Sequence, residues 1–304
     1  MLRKIIVLLV LTLFTCSNIG LAFATPAPDM AILDKVIIIE KFFDGAQQSG
    51  PLIERISKLE KDIWGKENTG SLISRVDKLY SYSRVNADNM PSFALKMNAA
   101  EWSLTHMVTV LPVKVRIENL ERVLLGNAST GPYDERLNQL LKFAYANGKL
   151  VVTNVTLNKD NLLKIKLVTP LSTRTSRTGD EIIFQVVNDI YVDGSLIIAK
   201  GAQGTGKVSK VEGSKNFGRD AKMEISFDLI DAIDGSNIPT VLGEKAKAEN
   251  KSMVTAAGAT IAGMMILGPL GIVGGAFVHG KDVDIPVDTE VYIQIKDQVT
   301  VSGI

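Results

Sequence analysis

The side chains able to do chemistry are sparse: two histidines, His106 and His279, and one cysteine, Cys16, in 304 residues. His106 lies in Leu104-Thr105-His106-Met107 and His279 closes an apolar stretch. Neither stands in an H-x-x-x-H or H-E-x-x-H frame, so a zinc site lacks its ligand set, and neither has a recognisable Ser or Asp partner in a nucleophile motif. The acid pairs Asp180/Glu181 and Asp282/Asp284 are the residue types that glycoside hydrolysis uses, but they stand near turns, where carboxylates are solvated. Gly201-Ala202-Gln203-Gly204-Thr205-Gly206-Lys207 fits G-x-x-x-x-G-K. Val208 then occupies the place where a phosphate-binding loop needs Ser or Thr for magnesium, and Lys207 to Val211 alternates like a strand where such a loop would open a helix. The sequence therefore assigns no catalytic, cofactor-binding or metal-ligating residue, and the reading is non-enzymatic, with no cofactor.

These residues sit in a chain that is 46% hydrophobic and 22% charged with a mean hydropathy of +0.16, foldable and oilier than most soluble proteins. Length suggests two domains. Lys and Arg total 34 against 33 Asp and Glu, so no net field draws nucleic acid, and nucleic acid is not expected as a partner. Part of the excess hydrophobicity is at the start. Arg3-Lys4, an apolar core from Ile5 to Phe14 and the A-x-A site Ala22-Phe23-Ala24 form a secretory signal peptide over residues 1–24, cut after Ala24. Cys16 follows Leu13-Phe14-Thr15, a partial match to a lipidation signal, and the later A-x-A site competes with it. Cleavage removes Arg3, Lys4 and Cys16, which takes the net charge from +1 to −1 and leaves no thiol.

Residues 25–148 read as a helical domain built on a repeat. Arg55, Ile56, Leu59, Glu60, Gly65, Thr69, Gly70, Arg75 and Leu79 recur as Arg116, Ile117, Leu120, Glu121, Gly126, Thr130, Gly131, Arg136 and Leu140. Glu40/Glu101 and Pro51/Pro112 extend the correspondence upstream, giving copies over about 30–90 and 91–148. In each copy the stripe of Ile56, Leu59 and Ile63 predicts a short helix stopped by glycine, and a turn then leads to a second helix carrying Leu72, Val76 and Leu79. Ala31 to Phe43 and Phe93 to Leu111 read as longer covering helices. Arg75 and Arg136 have two readings, as ligand contacts or as braces to Glu60 and Glu121. Trp64 and Trp102 read as core or interface filler. The R-I-x-x-L-E pattern followed by G and T-G resembles short tandem repeats of bacterial envelope proteins, which implies a partner-binding or spacer role.

From Lys149 the period changes to two. Segments 150–155, 162–168, 181–192, 195–199, 206–211, 221–230 and 290–295 predict strands, and Asp193-Gly194 and Asp234-Gly235 supply hairpin turns. Residues 149–304 thus read as a small antiparallel barrel or sandwich, and the whole chain as α+β. Leu171 to Thr175, Thr178-Gly179-Asp180-Glu181-Ile182, Ile197 to Gly201, Gly218 to Ile225 with Asp234-Gly235, and Ile285 to Val291 resemble, in order and spacing, the C-terminal β-barrel of TrbI-like scaffold proteins of type IV secretion channels. That resemblance covers about 171–301. It implies a barrel interrupted by a hydrophobic helical excursion and assembled into an outer-membrane-associated ring. The cleavable signal departs from that family, which has an inner-membrane anchor and a proline-rich spacer.

The second concentration of hydrophobicity, Ser252 to Val278, carries no charge and is broken at Gly268-Pro269. Neither arm reaches the roughly 20 residues needed to cross a bilayer, so the segment 252–280 reads as a helical hairpin inserted in the barrel. Gly258 with Ala262, Ala259 with Gly263 and Gly271 with Gly275 are small-x-x-x-small pairs suited to close helix packing. With Gly268, Pro269 and Gly274 they are the expected membrane or oligomer contacts. The resulting expectation is an exported scaffold on the periplasmic side of the envelope, outer-membrane-associated, forming a homo-oligomer and meeting a further envelope protein through its helical repeats. The alternative is a soluble periplasmic interaction module with the hairpin buried inside it.

Overall fold

The computed structural model describes residues 30–87, 90–213, 221–257 and 282–304. The expected signal segment with Ala22 and Ala24, and His279, lie outside them. So do the expected membrane or oligomer contacts Gly258, Ala259, Ala262, Gly263, Gly268, Pro269, Gly271, Gly274 and Gly275. Among the described residues six helices come first: α1 (Ile32–Asp44), α2 (Leu52–Trp64), α3 (Leu72–Arg84), α4 (Phe93–Thr105), α5 (Val113–Leu125) and α6 (Tyr133–Ala144). Five of them bury one stripe, for α2 Ile56, Leu59 and Ile63, in a core shared with Phe43, Phe93 and Met97, while α4 is buried on two sides and also gives Leu95 to the barrel core. Left-handed caps at Gly45, Gly65 and Gly126 end α1, α2 and α5, and the Ser71 and Ser92 hydroxyls accept the Ser74 and Leu95 N–H groups at the starts of α3 and α4.

The repeating unit is one helix, of 13 residues in α1 to α5 and 12 in α6, and its loop. The segments expected as longer covering helices are α1 and α4, of the same length as α2 and α3, because Gly45 and His106 turn left-handed where Gly65 turns in α2. Glutamates near the middle of four helices fix the spacing. Glu40, Glu60, Glu101 and Glu121 each receive the guanidinium of the arginine 15 residues later, Arg55, Arg75, Arg116 and Arg136, with Nη2 to oxygen distances of 2.6–2.7 Å. The same carboxylates accept a loop N–H eight residues on, from Gln48, Asn68, Thr109 and Ser129 at 2.8–3.0 Å. One glutamate thereby shapes its own exit loop and pins the following helix. The α3–α4 junction has Tyr80 and Lys96 at the corresponding positions and lacks the pair.

The second half is β-rich: β1 (Thr153–Leu157), β2 (Leu162–Leu167), β3 (Leu171–Ser172), β4 (Glu181–Val186), β5 (Ile190–Val192), β6 (Ser195–Ile198), β7 (Gln203–Glu212), β8 (Lys222–Asp231), β9 (Asn237–Val241), then α7 (Glu244–Ala257), β10 (Asp284–Ile285), β11 (Glu290–Ile295) and β12 (Val299–Gly303). A closed antiparallel barrel runs β11-β2-β4-β7-β8-β9, and β1–β12, β3–β10 and β5–β6 form flanking ribbons. The fold is α+β, helices followed by a six-stranded barrel. Closure leaves this sheet no free edge. Its core holds Phe184 and Phe227, edge to face at 5.3 Å, with Ile182, Ile230, Ile293 and Ile295. Gly204 and Gly206 on β7 make room for it, since a Cβ at the first would meet the Phe184 ring and at the second the Ser226 carbonyl. The expected strand 181–192 is two strands: Asp189 between them accepts the Trp102 indole N–H at 3.1 Å and the Lys200 N–H.

The two halves share a contact surface centred on α4. Asn98 donates to the Ile233 carbonyl at 2.9 Å, Asn86 to that of Asp234 at 3.2 Å, and the Val108 N–H to that of Lys200 at 2.9 Å. Leu95 and Val108 belong to the barrel's core cluster, and Trp102 packs against it.

Candidate functional site

The apolar segment begins where the barrel is interrupted between β9 and β10, so its roots on the barrel are the candidate site. Gly243 lets the chain leave β9 closely, since a Cβ there would overlap the Gln294 side chain. α7 then lies along β11. The Ala246 N–H donates to Gln294 Oε1 at 3.1 Å, and the Asn250 amide closes a two-way bridge with the Tyr292 backbone, donating at 2.8 Å and accepting at 2.6 Å. Ala246 and Asn250 are fully buried. Because residue 246 meets 294 and residue 250 meets 292, α7 runs antiparallel to β11, toward the end where Glu290 pairs with Lys166.

The returning chain docks at that same end. Thr173 N–H donates to the Val283 carbonyl at 2.9 Å and the Val283 N–H to Thr173 Oγ1 at 3.0 Å. β10 pairs with β3, which follows β2 by four residues, and Arg174 pairs with Asp284 at 2.9 Å beside Ser172. Lys166–Asp288 and Lys164–Glu290 add paired charges to this rim. The Ser172 and Arg174 contacts hold the Asp284 carboxyl below the usual carboxylate value. The departing chain is therefore held along β11 through Ala246 and Asn250 and led toward the end of the barrel at which Thr173 and Val283 anchor the return.

Of the residues expected to make membrane or oligomer contacts, Gly258, Ala259, Ala262 and Gly263 would follow α7 directly in the chain, and Gly268, Pro269, Gly271, Gly274 and Gly275 come later. All nine fall outside the described residues, so the site is defined by its roots. The remaining candidates are dispersed. Gly201 is a left-handed turn entering β7, and Lys207 lies within that strand. His106 is the cap of α4, its ring edge-on to Trp102. Asp180 accepts the Arg177 N–H in a turn, while Asp282 and Asp284 face Arg174. Among the described residues no three His, Cys, Asp or Glu side chains gather as a metal site would need. Arg75 and Arg136 are braces to Glu60 and Glu121. Trp64 packs edge-on against Tyr82 at 5.2 Å. Sequence reasoning missed Asn250, Gln294 and Thr173. The signal for Gln294 is legible, a polar residue beside Ile293 and Ile295 in a strand whose closing residues are all buried.

No protein-family model matches the chain, and no curated protein does. Among solved structures, ComB10 of the Com type IV secretion system of Helicobacter pylori aligns with 48% of this chain and 89% of its own, at 18% identity and a TM-score of 0.28.

Proposed function

We propose that this protein is a non-enzymatic, exported envelope scaffold: a helical domain over about 25–148 presents a partner-binding stack, and a TrbI-like barrel over about 149–304 holds an apolar hairpin against a membrane or against other copies. The observation that carries this reading is that α7, held to β11 by Asn250, runs toward the end of a closed barrel at which Thr173 and Val283 anchor the returning chain. A segment that must return to its point of departure cannot act as a single crossing, and Gly268-Pro269 stands near its middle. Among the described residues no helix is long and apolar enough to cross a membrane. The self-paired charges at the rim suit an aqueous collar around such an element. The barrel itself agrees with the order of motifs that resembles the TrbI-like scaffolds. Homo-oligomerisation follows from the small-residue pairs, Gly258 with Ala262, Ala259 with Gly263 and Gly271 with Gly275, which let identical hairpins approach closely.

The test compares the full chain with a variant in which a short glycine-serine linker replaces residues 258–281, a replacement suited to α7 running toward the end where the return docks. The full chain is expected in the membrane fraction after a high-salt wash and as an oligomer in detergent, and the linker variant as a folded soluble monomer. A full chain that stays soluble, together with a linker variant whose barrel unfolds, would make the hairpin an internal structural element and sink the proposal.

A further inference from the structure

Between the helical stack and the barrel lies a cavity of about 260 Å³, room for about eight waters at roughly 30 Å³ each. Arg84, the last residue of α3, lines it. Elsewhere in the stack the buried guanidinium groups, Arg55, Arg75, Arg116 and Arg136, are each held by a carboxylate. Arg84 is built differently. Its Nε is buried and has no hydrogen-bond partner among the described residues. The guanidinium lies over the Phe42 ring, its Cζ 4.3 Å from the centroid, a contact that uses its face and none of its N–H donors. Burial holds it below the usual arginine value, with Asp231 pulling the other way. A half-buried cation whose Nε is buried without a hydrogen-bonded counter-charge is costly.

We propose that the cavity binds a small organic carboxylate, with Arg84 as its anchor. The chemistry of the walls selects this class. An arginine edge offers paired donors that match a carboxylate, as the four Glu–Arg pairs of the same stack demonstrate. Asp231 stands at the rim and is committed to Asn237, whose amide donates to it at 2.8 Å. Its charge disfavours a dianion such as phosphate and leaves the field of Arg84 and Lys41 sufficient for a single negative charge. Ala94, Ala199, Ala202 and Ile233 give one part of the wall an apolar character that fits a short hydrocarbon body, and Arg116, which also lines the cavity, is neutralised by Glu101. Because the site is formed from both halves of the chain, occupancy would also tie the stack to the barrel.

The test titrates the full chain with sodium benzoate, with benzamide as the neutral isostere, inorganic phosphate as the dianion and a short acidic peptide as the macromolecular competitor. Calorimetry and thermal unfolding are the readouts. Benzoate is expected to bind saturably and raise the unfolding temperature, with benzamide and phosphate inert. Arg84→Met should weaken benzoate at least tenfold. Asp231→Asn, a change at an exposed strand end, should tighten it several-fold and keeps the test open should Arg84→Met fold poorly. Equal shifts with benzamide or with phosphate, undiminished benzoate binding in Arg84→Met, an unchanged affinity in Asp231→Asn, or binding of the acidic peptide alone would each overturn the proposal.

Discussion

At the scale of single residues, the helical half depends on a doubly used carboxylate. Glu60 receives Arg75 and the Asn68 N–H together, so Arg75→Met leaves a buried charge with one loop contact. The expected loss is about 3–5 kcal/mol of unfolding free energy, the cost typical of breaking one side of a buried pair. Glu60→Gln combined with Arg75→Met removes the stranded charge and is expected to be more stable than Arg75→Met alone in urea unfolding; a further loss in the double variant would refute the pairing argument. Glu121 gives a pH test. Burial opposes its ionisation, but Arg136 and the Ser129 N–H prevail and hold it below the usual value of 4.5. Its folded form binds protons less readily than its unfolded form, so this stabilisation is present above about pH 4.5 and is lost as pH falls through the lower folded value. Helical circular dichroism followed in urea from pH 6 to pH 3 should show that loss in the native chain, and a flatter profile in Glu121→Gln. The recurrence of Arg55 to Leu79 as Arg116 to Leu140 exposed Arg75 and Arg136 with their partners. The shorter period stayed hidden because helix starts are spaced by 20 residues except for one spacing of 21 between Leu72 and Phe93, and because Tyr80 interrupts the glutamate series.

Individual elements show where pattern reading succeeds and fails. β2 and β11 follow alternation closely. β9 is hidden by Pro239, which pairs with Leu229 inside the barrel and lends its carbonyl to the Lys296 N–H, and β12 by the polar run Thr300-Val301-Ser302-Gly303. The G-x-x-x-x-G-K match is explained by packing: Gly206 is small because the Ser226 backbone occupies the space of a side chain. Gly206→Val is therefore expected to prevent barrel formation, measured as loss of the cooperative β-sheet transition in circular dichroism, whereas Lys207→Ala, on the exposed side, should leave it within about 0.5 kcal/mol. Asn250→Ala should free α7 from β11, leaving the Tyr292 N–H and carbonyl without their partner. About 1–3 kcal/mol of local stability is at stake, read as faster amide exchange at Tyr292 with the barrel intact.

Over the whole molecule, the order of helices before strands was legible because period and composition change together near Lys149. The path of the chain was not, since no local pattern states that β11 lies between β2 and β9 or that α7 lies along β11. One long-range pairing has a further consequence. β1 pairs along its whole length with β12, and 148 residues separate Asn154 from its partner Ser302. During synthesis β1 must wait for nearly all of the second half before its partner exists, and β2 waits almost as long for β11. The barrel is thus a late product of biosynthesis, while the stack, built from neighbours 15 residues apart, can form as it emerges. A chain exported from its N-terminus, as proposed, would reach the far side with its helices assembling and its barrel still open, so that the apolar segment emerges before β11 and β12 lock the barrel.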